Sequence, residues 1–222
     1  MRVPEGIVFP KERVYEPGVV RRGHGENWIP HWQLQNAVYH ISCHLIDAIP
    51  QSVKRQILEE RRLLAQWENE LPGLTVQEQQ RQEELYSDRI EQYLAAGHGE
   101  CILGQPQAAE IVKQSLEYFD GQKYRLHAWC IMPNHLHVAL DFLSNDIDLG
   151  SVVRGWKSFS AREINKCFNR SGALWQPDYY NRIIREYKEY VRTIEYIWLN
   201  PDKAKLQNWE WRWIREEIVG EE

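Results

Sequence analysis

Apolar residues recur along this chain with two different periods, separated by stretches that have neither. Residues 1–30 hold Pro4, Pro10, Pro17, Gly18, Gly23, Gly25 and Pro30 with no apolar period, which predicts an extended arm. From Asn36 to Ile46 the run is rich in β-formers and stops at Asp47-Ala-Ile-Pro50, as a first strand would. Residues 51–98 read as two helices broken near Leu71-Pro72-Gly73. They are dense in Glu, Gln and Arg, with a thin apolar stripe through Ile57, Leu64 and Trp67. A solvated helical hairpin inserted at a domain edge accounts for that composition, and no chemistry is assigned to it.

Beyond Pro106 the period is helical, with Ala108, Ile111, Val112, Leu116 and Phe119 on one face up to Asp120-Gly121. Two strand-like runs follow, Tyr124 to Met132 and His135 to Leu143, with Pro133-Asn134 between them as a hairpin turn. A helix from about Ile147 to Phe168 carries Leu149, Val152, Val153, Trp156 and Phe159 on one side. A short extended segment runs through Leu174–Tyr180 and Arg182–Arg185, and a last helix from about Tyr187 to Asn200 is closed by Pro201. Hairpin strands mixed with helices predict an α+β fold, a ferredoxin-like antiparallel sheet with helices packed on it. One domain over residues 31–215 accounts for the pattern, with 51–98 as its helical insertion and 216–222 as an acidic tail.

Composition narrows the function. No apolar run approaches the roughly 18–20 residues that span a bilayer, and Met1-Arg-Val-Pro-Glu5 lacks a signal-peptide core, so a cytosolic protein with no membrane partner is expected. Cys43, Cys101, Cys130 and Cys167 show no C-x-x-C spacing and read as core thiols. The formal net charge is -5, but it is unevenly spread: residues 151–215 are basic overall while the rest is neutral or acidic. That basic segment also holds Trp156, Trp175, Trp198, Trp209, Trp211 and Trp213. Cations interleaved with aromatics suit a single-stranded nucleic acid, whose bases stack and whose phosphates need positive charge; tryptophans at helical spacing also suit a core.

Candidate chemistry sits on the second hairpin strand and the last helix. Side chains two apart on a strand share a face, so His135 and His137 point one way while Leu136, Val138 and Leu140 point into the core. Two imidazoles that close can chelate a divalent metal if a third ligand exists, or can be a hydrogen-bonded pair at a strand start. On the last helix Tyr190, Val191, Ile194, Ile197 and Trp198 form the apolar stripe, which leaves Tyr196 on the opposite side with Asn200 one turn along and Arg192 one turn back. A Tyr/Asn pair facing an H-x-H strand offers both a nucleophile and an oxygen donor; a plain surface tyrosine is the alternative.

Taken in order, His127-Ala-Trp-Cys-Ile-Met-Pro-Asn-His-Leu-His-Val138, Trp156-Lys-Ser-Phe-Ser160, Leu174-Trp-Gln-Pro177, Tyr180-Asn-Arg-Ile-Ile-Arg185 and Tyr196-Ile-Trp-Leu-Asn-Pro-Asp-Lys-Ala204 resemble the REP-associated tyrosine transposases of the HUH single-strand endonuclease superfamily. The resemblance spans roughly residues 28 to 213. It implies that His135 and His137 bind Mg²⁺ or Mn²⁺, that Asn200 completes the metal site and that Tyr196 is the single catalytic tyrosine. The implied activity is nicking and strand transfer of single-stranded or hairpin DNA, REP-like palindromes, through a 5'-phosphotyrosine, by a monomer or homodimer. Arg154, Lys157, Arg182 and Arg185 with Trp175 are the expected DNA-binding residues, and Arg21, Arg22 and His24 of the arm are further candidates. The chain departs from the pattern at Asn181, where the family usually has Asp, and at Ser42-Cys-His-Leu45, where the first strand often ends Thr-Phe-Arg-Leu. A non-catalytic hairpin-binding regulator that keeps the fold is the competing reading.

Overall fold

All eight residues of strand β5, His135–Phe142, are buried, and the architecture follows from that. A strand hidden on both faces needs strands at both edges and a covering layer above and below. The sheet supplies the first: its order is β6 (Tyr180–Ile184), β3 (Val38–His44), β5, β4 (Tyr124–Ile131), β7 (Arg212–Ile214), and every neighbouring pair is antiparallel. Helices α1 (Pro106–Glu117) and α2 (Leu149–Cys167) cover one face, and α3 (Tyr187–Lys203) covers the other. The expected α+β fold, an antiparallel sheet with helices packed on it, is the observed one. The structure is a computed structural model and describes residues 21–24, 30–33, 37–56, 59, 89–184 and 186–216, the backbone alone for 21–24 and 30–33.

The pleat of β5 separates the two cores. Leu136, Val138 and Leu140 join the core under α1 and α2, whereas Ala139 packs with Tyr190, Ile194 and Ile197 of α3. On β4 one extra residue lies between the pairs Leu126↔Leu140 and Ala128↔Ala139, a β-bulge at His127. The bulge reverses the alternation, so that Leu126 and Trp129 belong to the α1/α2 core while Ala128 and Cys130 belong to the α3 core. Helix α2 starts where Asp148 accepts a hydrogen bond from the Ser151 amide at 2.7 Å, and buries Leu149, Val152, Val153, Trp156, Ser160 and Ile164. The Trp156 indole N–H donates to the Tyr124 hydroxyl at 2.8 Å, which donates to the Leu116 carbonyl at 2.6 Å, tying α2 to β4 and α1.

Five sequence expectations need correction. Only Cys43 and Cys130 are core thiols; Cys101 is half-buried and Cys167, at the end of α2, is exposed. Phe159 is 38% exposed and lies under the Arg162 guanidinium, while Ser160 and Ile164 take the buried positions. Helix α3 passes through Pro201 to Lys203. A proline in the last turn removes only one helical donor; the Ala204 amide, at the C-cap, donates to the Asn200 carbonyl at 3.1 Å, and from outside the helix Arg212 Nη1 donates to the Trp198 carbonyl at 2.7 Å. Strand β7 has no counterpart among the expected elements; three residues are too few to show an alternation. Arg21–His24 (β1) pairs antiparallel with Pro30–Gln33 (β2), so part of the expected arm is a hairpin. Residues 1–20, the break at 71–73, the stripe through Ile57, Leu64 and Trp67, and the tail from 217 lie outside the described residues.

The two ends of the 51–98 insertion are fastened to the domain. Residues 51–56 and 89–95 are helical, and Leu94, 2% exposed, enters the α1/α2 core. Where the chain returns, the Glu100 amide donates to Asp47 Oδ2 at 2.8 Å, close to where it departed. Gly99 makes that approach possible: its φ is +88°, and a Cβ would lie 2.7 Å from Asp47 Cγ and 2.8 Å from its carbonyl oxygen. Gly99→Ala is expected to lower unfolding free energy by about 1–3 kcal/mol, read as a fall in the urea midpoint with an unchanged slope.

Candidate active site

Directly opposed residues of an antiparallel pair share a face. The β3–β5 register sets His44 against His135, Ser42 against His137 and His40 against Ala139. His40, Ser42 and His44 therefore line the same face as His135 and His137, the one covered by α3. The alternation His40-x-Ser42-x-His44 was legible in the sequence as a second polar face, but it gains meaning only from this pairing.

Each histidine of the H-x-H pair has one ring nitrogen engaged and one unengaged. His135 Nδ1 lies 2.7 Å from Asn134 Oδ1, and His137 Nδ1 lies 3.2 Å from His40 Nε2. Since Asn134 Oδ1 can only accept, His135 carries its proton on Nδ1 and turns the Nε2 lone pair inward. His135 Nε2 and His137 Nε2 are both buried without a hydrogen-bond partner among the described residues. Buried polar atoms are normally satisfied, so two convergent orphaned nitrogens mark a place for an electrophile.

Glu91, in the helical residues 89–95, supplies a third donor, and nothing in the motifs had assigned it a role. Its Oε2 lies 3.5 Å from His137 Nε2, and the candidate ligand atoms of Glu91, His135 and His137 all lie within 4.8 Å of one another. Burial acts to raise the Glu91 pKa, but His137, His135 and a hydrogen bond from Tyr196 outweigh it and hold the carboxyl well below the usual range. Burial, with His137 beside it, pulls His135 down to about 3; burial likewise takes His40 to about 3 and His44 to about 4. An imidazole that burial keeps neutral at His135, beside the ionised Glu91 carboxylate, belongs to a donor set of types that fit a divalent cation.

Helix α3 brings the nucleophile candidate to the same place. The Tyr196 ring centroid is 5.2 Å from that of His137 and 5.8 Å from that of His40, edge-on to both, and its hydroxyl bonds Glu91. Asn200, 6% exposed, lies beside His135. Lys203 Nζ sits 4.5 Å from the Tyr196 ring centroid. The helix is held in register by a wholly buried chain: Tyr190 hydroxyl to His127 Nδ1 at 2.7 Å, and His127 Nε2 to Asp141 Oδ1 at 2.5 Å. The carboxylate accepts from Nε2–H, so Nδ1 accepts from the tyrosine. His135, His137, Tyr196 and Asn200, chosen from strand and helix periodicity, thus meet in one place, and Glu91, His40 and His44 join them.

The expected DNA-binding residues fare differently. Trp175 is 5% exposed and donates its indole N–H to Ser160 Oγ at 2.9 Å, so it is a core residue with no face for a base. Arg154 is exposed on α2. Lys157 Nζ donates to the carbonyls of Pro177 and Asp178 at 2.8 and 3.2 Å, and Arg182 pairs with Glu189 at 2.7 Å while remaining 43% exposed. Arg185 lies outside the described residues. Part of the basic excess of 151–215 is neutralised by acids from other segments, Arg170 by Glu100 and Arg215 by Asp120.

Two substitutions test the supports. Asn134→Ala, which leaves His135 Nδ1 and two carbonyls without their partner, is expected to cost about 2–4 kcal/mol in denaturant unfolding. Tyr190→Phe, which strips only the hydroxyl from His127, is expected to cost about 1–3 kcal/mol in the same measurement.

A family model described as IS200-like transposase matches residues 102–198, a span that includes His135, His137 and Tyr196 but neither Glu91 nor Asn200. The REP-associated tyrosine transposase of Escherichia coli is 32% identical over 83 residues, 36% of this chain and 46% of that protein. A putative REP-associated tyrosine transposase of Haemophilus influenzae is 28% identical over 100 residues, 41% of this chain and 55% of that protein. An uncharacterized protein of the same organism is 30% identical over 141 residues, 46% of this chain and 73% of its own length. The chain spans about half the length of the first two relatives. A solved structure of a REP-associated tyrosine transposase bound to a REP hairpin superposes with a TM-score of 0.45 at 16% identity, covering 82% of this chain and 79% of the other. The motifs of this chain in their order and the relatives matched by sequence together give the assignment: the chain belongs to the REP-associated tyrosine transposases, within the IS200-like transposase family.

Proposed function

We propose that this protein is a metal-dependent single-stranded DNA nickase and strand transferase that acts on REP-like hairpins through a 5'-phosphotyrosine intermediate. The observation that carries the reading is the convergence of the Tyr196 hydroxyl with two buried, unsatisfied imidazole nitrogens. Bound by His135, His137 and Asn200, Mg²⁺ or Mn²⁺ would supply charge to the non-bridging oxygens of the scissile phosphate and favour in-line attack.

The chain's own residues do the rest. A phenol with a pKa near 10 is a weak nucleophile at neutral pH; the Glu91 carboxylate, bonded to the Tyr196 hydroxyl, stands where it can take the proton, and Lys203 Nζ lies 4.5 Å from the ring centroid. The Tyr196 oxygen bonds to phosphorus as the bond to the 3' oxygen breaks; the phenol gives up a proton and the released 3'-OH gains one. Attack by another 3'-OH on the phosphotyrosine reverses these bonds and rejoins a strand without external energy. Helix α3, pinned through Tyr190, holds the nucleophile, and Asn134 and His40 hold the two imidazoles. Arg154, Lys157, Arg182 and Arg185 are proposed to meet the DNA backbone. The names of the relatives matched by sequence agree with a REP-derived substrate. No helix among the described residues is long and apolar enough to cross a membrane, and the reading keeps the expectation of a cytosolic protein.

The test is incubation of the full chain with labelled single-stranded hairpins from its own genome, with Mg²⁺, Mn²⁺ or EDTA. A covalent protein–DNA adduct is expected with metal, absent in EDTA and absent from Tyr196→Phe. Binding with no adduct across several hairpins and both metals would overturn the transferase reading in favour of a hairpin-binding regulator.

A further inference from the structure

The insertion at 51–98 reads in sequence as inert, yet it places a carboxylate at the centre of the candidate active site. We infer that Glu91 is a protein ligand of the metal, so that the insertion completes the metal site with an acidic donor. The inference rests on the metal-site reading above and adds to it a residue outside the span matched by the family model.

The geometry of the Glu91–His137 pair fits two donors on one ion. Two donors on one ion at about 2.0–2.2 Å each stand roughly 3.0–3.5 Å apart at tetrahedral to octahedral angles. Glu91 Oε2 and His137 Nε2 are 3.5 Å apart, beyond a good hydrogen bond and within the donor spacing around a shared ion. His135 offers a further donor atom within 4.8 Å of both.

The surrounding chain holds the carboxylate in place. Asn134, next to His135, donates through Nδ2 to the carbonyls of Leu94 and His98, each at 3.1 Å, while its Oδ1 orients His135. One amide side chain therefore fixes both the helical end that carries Glu91 and the imidazole that faces it. The Leu94 side chain, one helical turn beyond Ile90, anchors that end in the core, and Gly99 with Asp47 closes the base. Two imidazoles and an amide leave a bound divalent ion with its full charge; the carboxylate reduces it and shifts the donor set toward oxygen, which suits Mn²⁺ and Mg²⁺ over softer ions.

The experiment measures Mn²⁺ binding to the full chain without DNA, by calorimetry and by the metal-induced rise in melting temperature, for wild type, Glu91→Gln, Glu91→Asp and His137→Ala. Glu91→Gln keeps the shape and removes the charge; it is expected to weaken Mn²⁺ binding at least about tenfold, as losing even an outer partner of a metal site does, with a metal-free melting temperature equal to or above wild type. Glu91→Asp is expected to recover part of the affinity. Wild-type affinity in Glu91→Gln, or a loss of binding matched by a fall in its metal-free melting temperature, would overturn the assignment of Glu91. Should Glu91→Gln not fold, wild-type affinity in Glu91→Asp, whose carboxylate is shorter by one methylene, would overturn it as well. Absence of Mn²⁺ binding in the wild type, or its persistence in His137→Ala, would instead overturn the metal site itself.

Discussion

A central strand buried on both faces, with polar side chains on one of them, is the constraint from which the rest of this molecule follows. Leu136, Val138 and Leu140 need only apolar cover, and α1 and α2 provide it. His135, His137 and Asp141 are buried as completely, and each polar atom there costs free energy until something satisfies it. Asp141 is met by His127 and, through it, by Tyr190 of α3. His135 and His137 are met on one nitrogen each by Asn134 and His40. The two nitrogens left over face Glu91, Tyr196 and Asn200, and the chemistry is concentrated where the packing leaves polar valence unused.

The same constraint explains how firmly the helix is mounted. Helix α3 packs on small and apolar residues of the sheet, Ala128, Cys130 and Ala139 among them, which admit a close approach. Apolar packing of that kind tolerates sliding along the helix axis. The buried Tyr190–His127–Asp141 chain does not, because displacement would leave three polar groups unpaired. The β-bulge at His127 is what turns that ring toward α3. Tyr196 lies six residues beyond Tyr190 and Asn200 four beyond that, so fixing the first tyrosine fixes the reach of the other two.

Electrostatics in the site runs against the global composition. The chain is acidic overall, and the cations that make 151–215 basic are partly neutralised by pairing, as with Arg182 and Glu189. What the site presents instead is a cluster of imidazoles, His135, His40 and His44 kept neutral by burial, with one ionised carboxylate and the Lys203 side chain above the tyrosine ring. Such a set attracts a cation first and a phosphate through it.

Periodicity by itself determined a good deal of this. A period of two over 135–142 put His135 and His137 on one face, and a period of 3.6 over 187–200 put Tyr196 and Asn200 together and away from the apolar stripe, because both patterns are properties of local backbone geometry. The motif order was likewise local information, and it identified the family. What the tertiary structure alone decided was which faces meet. Glu91 was one acid in a run of Glu and Gln, and nothing within a helical turn of it distinguishes it from its neighbours; only the fold carries it across more than forty residues to His135 and His137. His40 and His44 acquired their place from strand register, Trp175 turned out to be core because Ser160 accepts its indole N–H, and β7 formed because β4 offered an unpaired edge. Contacts distant in sequence leave no periodic trace in it, and these four features all depend on such contacts.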